Sequence, residues 1–194
     1  MTLHPDTIAA VVLLILAILL AIAVWGDVQS HRIPNRLVLS GLLLGLTCNG
    51  LLPLWAQPPH GQIGTLGWAD ALLGMAAGLA VLLPMYLLRA LGAGDVKLLA
   101  MVGAFLGPQA VLGAALGTLV AGGVLALAAA LRWRVVGAML SNVSAMVQSG
   151  VVQLSAGETP RVVQPLASAG QLPYAIAIAA GTAGYLVWVN LLAN

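Results

Sequence analysis

Residues 91–108 read LGAGDVKLLAMVGAFLGP. Asp95 and Lys97 stand there behind Gly92 and Gly94, at the head of an apolar run that stops at Gly107-Pro108. Charge is scarce elsewhere: 6% of the chain is Asp, Glu, Lys or Arg, 61% is hydrophobic, and the mean hydropathy is +1.06. A soluble domain is about half apolar and about a quarter charged. The composition therefore predicts a polytopic membrane protein, in which a retained charge points to function by default. The run 96–107 is short for a membrane span; it crosses only if tilted or if it begins inside a cavity.

Working outward from this stretch, a helix needs about 20 apolar residues to cross the hydrocarbon. The runs 7–26, 37–55, 71–88, 109–131 and 172–192 qualify, and with 96–107 they predict an all-α bundle of six transmembrane helices in one domain, residues 1–194. The first run lacks a basic stretch before it and an A-x-A site after it, so it reads as a retained helix, not a cleaved signal. Lys and Arg fall only in odd loops: Arg32 and Arg36 in the first, Arg89 and Lys97 in the third, Arg132, Arg134 and Arg161 in the fifth. These loops are expected to face the cytoplasm, with both termini outside. Trp25, Trp55, Trp68 and Trp133 fall at helix ends, where an aromatic belt sits. The pairs GLLLG (41–45), GMAAG (74–78) and GAALG (113–117) let helix backbones approach closely and predict a tight bundle.

In the fifth loop, Val136, Met139, Leu140, Val143, Met146 and Val147 fall at helical spacing opposite Ser141, Asn142, Ser144 and Gln148. That pattern predicts an amphipathic helix on the cytoplasmic membrane surface, followed by a turn-rich stretch from Ser155. The net charge of +2 excludes a basic field for nucleic acid. The lone Cys48 excludes an intramolecular disulfide and a CxxC zinc site, and His31 and His60 fall on opposite faces without metal-ligand spacing. No metal and no cofactor is expected. The sequence leaves the oligomeric state open.

Asp6 and Asp70 precede helices and read as N-caps, and Glu158 lies in the turn-rich stretch. Asp27 and Asp95 differ, because loop charge puts both at the cytoplasmic face. Two converging carboxylates suit aspartyl proteolysis: one ionised to take a proton from water, the other protonated to polarise the scissile carbonyl. Gly92 and Gly94 permit positive φ and close approach of another backbone beside Asp95. The same pattern also suits a Gly-rich turn with an Asp cap. Pro34 and Asn35 read first as helix-start residues, the proline suited to a first turn and the asparagine to a cap, and second as supports of the loop that carries Asp27. Lys97 reads as a snorkelling cytoplasmic anchor.

Three stretches carry a resemblance. DVQSHRIPNRL (27–37) resembles the first-aspartate motif of the type IV prepilin peptidases, GAGDVKLLA (92–100) their second-aspartate motif, and LPYAIAIAAG (172–181) their last-helix signature. Order and spacing also match, over nearly the whole chain. The resemblance implies a GxGD-type aspartic peptidase of the bacterial inner membrane, with Asp27 and Asp95 catalytic. It also implies prepilins and pilin-like proteins as substrates, each with a basic leader ahead of a hydrophobic helix, and a role in pilus biogenesis. Longer members bear a cysteine-rich cytoplasmic region with an N-methylation activity. This chain resembles the short form associated with tight-adherence (Flp-type) pili, TadV/CpaA-like, so methylation is not expected. The alternatives are a protease of the signal-peptide-peptidase kind, and a transporter or channel subunit that uses the two aspartates as a proton or cation site.

Overall fold

The computed structural model describes residues 5–56, 63–87, 91–132, 137, 141, 144, 148 and 173–193. The chain divides into two compact units, Met1–Gly122 with Pro173–Asn194, and Gly123–Leu172. Every described element is a helix: α1 Pro5–Ser30, α2 Asn35–Ala56, α3 Trp68–Leu87, α4 Ala93–Arg132 and α5 Tyr174–Ala193. All five are long and apolar enough to cross a membrane. In α1, Ile8, Val12, Leu16, Leu19 and Ala23 are buried, whereas Leu14, Ile18, Ile22 and Trp25 are exposed. An apolar stripe on both the inner and the outer face marks a helix whose solvent is lipid.

The count of six against five resolves at Gly107. Straight, the 40 residues of α4 would run about 60 Å, twice the hydrocarbon thickness. Gly107 instead adopts φ 81° and ψ 176°, a region open to glycine alone. Pro108 then starts a second arm, because proline disfavours helical backbone in the residue before it and suits a helix's first turn. Within the first unit, the chain before Gly107 runs away from Asp95 and the chain after it runs back. Gly113, Gly117 and Gly122 meet Tyr185, Gly181 and Tyr174 in turn, the register of antiparallel helices.

The arm 93–107 is the centre of this unit. Leu98, Leu99, Met101, Val102 and Phe105 are all fully buried, so the helix is covered on every side. This explains how so short a run serves: it meets protein, not lipid. The glycine pairs are the places where its neighbours press in. Gly41 and Gly45 of α2 receive Met101 and Phe105, while Gly74 and Gly78 of α3 lie against the Gly103 and Leu99 carbonyls. A Cβ at Gly74 or Gly103 would occupy the space of the other's backbone.

The Gly107 break leaves a debt in hydrogen bonds. The Ala104 carbonyl would accept from residue 108, which is proline and has no N–H. Asn49, fully buried in α2, supplies the donor: its Nδ2 donates to the carbonyls of Ala104 (2.8 Å) and Phe105 (3.0 Å). Its Oδ1 accepts from the N–H groups of Gly64 (2.9 Å) and Leu66 (3.4 Å) in the loop before α3. One side chain thus ties α2, α4 and the α2–α3 loop together.

Two expectations are corrected here. Neither Asp6 nor Asp70 precedes its helix, for each lies inside the first turn, of α1 and α3; before α3 the capping carbonyl is that of Gly67, at φ +92°, which accepts from the Ala71 N–H at 3.1 Å. Gly92 and Gly94 do not take positive φ; among the described residues Gly64, Gly67, Gly107 and His31 do. In the second unit, Gly137, Ser141, Ser144 and Gln148 are helical and exposed, as the polar side of a surface helix would be. Its expected apolar face, together with Trp133, Arg134 and Arg161, lies outside the described residues.

Asn49→Leu is expected to lower stability by about 3 kcal/mol or more, because each buried polar group left without a partner costs about 1–3 kcal/mol. Thermal unfolding in detergent checks this; an unchanged midpoint would refute the role given to Asn49.

Candidate active site

The site forms at the end of the first unit where α1 finishes and α2, α4 and α5 begin. Helix α1 extends through Ser30, so Asp27 lies in its last turn and not in the loop after it. His31 closes the helix in the left-handed region (φ 51°), and its N–H donates to the Asp27 carbonyl at 2.8 Å. The chain then folds back at once. Pro34 packs beside Gly26, and its carbonyl accepts the first helical bonds of α2, from Leu37 (3.1 Å) and Val38 (3.3 Å). Pro34 therefore takes the capping position assigned in the sequence to Asn35. The Asn35 side chain is used otherwise, accepting from Lys97 Nζ at 3.2 Å. Lys97 is exposed, as an anchor should be, but it also joins the heads of α2 and α4.

Asp95 is the third residue of α4. The Gly92 N–H donates to its Oδ2 at 3.1 Å, while the Asp95 N–H donates to the Gly92 carbonyl at 3.2 Å. The first bond is the acidic half of a capping box; Gly92 has no side chain to supply the other half, and its carbonyl takes the Asp95 N–H instead. The Gly-rich turn with an Asp cap is thus present, and the cap is what fixes the carboxylate's direction. Gly94 gives room to a neighbour's side chain: Ile33, from the α1–α2 loop, comes within 3.2 Å of where a Cβ at Gly94 would stand. The first and second aspartate stretches therefore interlock directly.

Asp27 and Asp95 are both buried, at 7% and 8% exposure, and they lie within electrostatic reach of each other. The Ala175 N–H, in the first turn of α5, donates to Asp27 Oδ2 at 3.0 Å. Each carboxylate thus sits at the positive end of a helix, where an anion is favoured. Tyr174, next to Ala175, is half-buried, lies in electrostatic reach of Asp95, and rests its ring on Gly122. Pro173 caps α5, its carbonyl accepting from the Ile176 N–H at 3.3 Å.

Of the residues singled out in the sequence, Asp27, Asp95, Gly92, Gly94, Pro34, Asn35 and Lys97 all come together at this end. Arg32 and Arg36 are exposed beside them, whereas Arg89 lies outside the described residues. Two participants carried no usable signal. Ile33 looks like a stray apolar residue in a polar loop, and Ala175 acts through its backbone.

A family model for the type IV leader peptidases matches residues 14–127, a stretch that holds both aspartates and stops short of α5. Searches of curated proteins and of solved structures returned no match. The family model covers more than half of a chain whose two buried aspartates lie at one end of its helical bundle: the chain belongs to the type IV leader peptidase family, and its function is of the leader-peptidase kind.

Proposed function

We propose that this protein is an aspartic endopeptidase that removes the leader of type IV prepilins, of the Flp/Tad kind, at the cytoplasmic face of the bacterial inner membrane. The observation that carries the reading is the placement of Asp27 and Asp95, two carboxylates from separate helices, both buried and within electrostatic reach of each other. Close like charges in a poorly hydrated site share one proton and titrate as a pair. The ionised member takes a proton from water as its oxygen attacks the scissile carbonyl carbon. The protonated member gives its proton to the carbonyl oxygen. Collapse of the tetrahedral intermediate breaks the C–N bond as a proton passes to the leaving amine, and the pair returns to its one-proton state. No covalent intermediate and no cofactor enters. Because a backbone N–H holds Oδ2 of each carboxylate, both planes are set before substrate arrives.

The substrate is a protein with a basic leader in the cytoplasm and an apolar helix in the membrane, cleaved at the junction. A cytoplasmic site agrees with the charges at this end, Arg32, Arg36 and Lys97. Helices α1 and α5 carry the chain away from the site, so both termini are assigned to the opposite side.

Asp27→Asn and Asp95→Asn are each expected to reduce prepilin cleavage by about 10²–10⁴-fold, the usual worth of general acid–base catalysis, with membrane insertion intact. The double variant should be scarcely worse than either single one, since the two act as a unit. Asp70→Asn, away from the site, is the control with near-normal cleavage. Full activity in either site variant, in a co-expression mobility-shift assay, rules the mechanism out. Gly94→Ala is expected to slow cleavage severalfold with little loss of thermal stability, because the new Cβ presses on Ile33 and shifts the turn that aims Asp95; equal loss of both would assign Gly94 a purely structural role. Single cysteines at Arg32 and His60, in a Cys48→Ser background, test the orientation: only the second should react with an impermeant maleimide added from outside. Labelling at residue 32 from outside contradicts a cytoplasmic site.

A further inference from the structure

Helices α1 and α5 part below the site to leave an open groove of about 260 Å³ in the membrane-facing surface. Leu16, Leu20, Ala17 and Ala21 line it from α1, Thr182 and Ala183 from α5. Thr182 is 1% exposed, and its hydroxyl is buried without a hydrogen-bond partner. A threonine in a helix ordinarily bonds the carbonyl one turn back, as Thr118 does to Ala114 at 2.8 Å. A buried hydroxyl that forgoes this bond carries a desolvation cost, which a partner in the groove relieves once the Thr182 side chain turns toward it.

We infer that this groove seats the apolar membrane helix of the substrate, an inference that rests on the leader-peptidase reading above. Three observations select that occupant. The walls are α1, which carries Asp27, and α5, whose Ala175 N–H holds it, so the groove, from Ala21 and Ala179 onward, follows the same two helices away from the dyad. Leu20 and Thr182 each stand seven residues along their helix from Asp27 and Ala175, about 10 Å at 1.5 Å per residue. An apolar helix starting at the cleaved bond reaches that depth two turns later. The alanines at 17, 21 and 183 leave room for a helix backbone to approach, the packing that associates helices in lipid. A polypeptide also offers Thr182 an acceptor, a carbonyl lone pair or a polar side chain, whereas an acyl chain offers none.

The test places the photoreactive residue p-benzoylphenylalanine at Ala17, at Ala183 and, as a control on the exposed surface of α4, at Leu116. The full chain is used in native membranes, in an Asp95→Asn background, with an uncleaved prepilin. Ala17 and Ala183 should give prepilin adducts severalfold above Leu116, mapping to about 7–14 residues after the scissile bond, the span of the groove at helical rise. Adducts only to lipid or to a second copy, or no excess over Leu116, overturn the inference. Thr182→Val, with the dyad intact, should keep or raise the unfolding temperature and raise KM for the full prepilin about fivefold, the worth of one hydrogen bond. An unchanged KM also overturns it. Crosslinking needs no catalysis, so a failed dyad shows separately, as cleavage that survives Asp27→Asn.

Discussion

In hydrocarbon, a peptide carbonyl without a donor has no water to turn to. The break at Gly107-Pro108 releases such carbonyls in the middle of the bundle, and Asn49 answers them. The rest of the first unit depends on this exchange. Because the break is satisfied, α4 can reverse there. Because α4 reverses, its first arm can be a short central helix that lipid does not touch. Asn49 also fixes the loop before α3, so α2, α3 and α4 share one register at the end far from the site.

That register is transmitted to the site by close packing. Around the central arm the spacing between helices is set by glycines whose missing Cβ atoms admit a side chain or the neighbouring backbone itself. Such contacts tolerate little sliding, since a bundle packed to crystal-like density has few voids to absorb a shift. The head of the central arm is therefore delivered to one place, between the end of α1 and the start of α5. There Ile33 locks into Gly94, Pro34 against Gly26, and the Ala175 N–H onto Asp27. The two carboxylates come within electrostatic reach because three helix ends are held, not because any local motif draws them together.

The capping role of Asp95 and its proposed catalytic role are compatible. The Gly92 N–H engages Oδ2 and so orients the carboxylate, as a support for a reacting group must. Asp27 is held in the same manner by a different helix. A helix N-terminus keeps its first N–H groups free for such acceptors, which is why both carboxylates can be buried at so little structural expense.

Much was legible beforehand. Composition declared the membrane, run lengths placed the helices to within a few residues, and three motif stretches, two of them holding an aspartate, named the family. These features survive in one dimension because each depends on a residue type and its immediate neighbours: apolar length for a span, glycine spacing for close packing, proline for a break. The reversal at Gly107 was half visible in the Gly-Pro pair. Asn49 was overlooked, although a lone amide in an apolar run was the available signal. Asn35 was assigned a cap that belongs to the Pro34 carbonyl, because the reach of Lys97 across the α2–α4 gap has no trace in local sequence. Likewise, only the tertiary structure decided that Gly94 makes room for Ile33, that a backbone N–H of α5 holds Asp27, and that the Thr182 hydroxyl is left without a partner. Each of these is a contact between residues far apart in the chain, and their meeting depends on how whole helices pack, a property that no short stretch of residues possesses by itself.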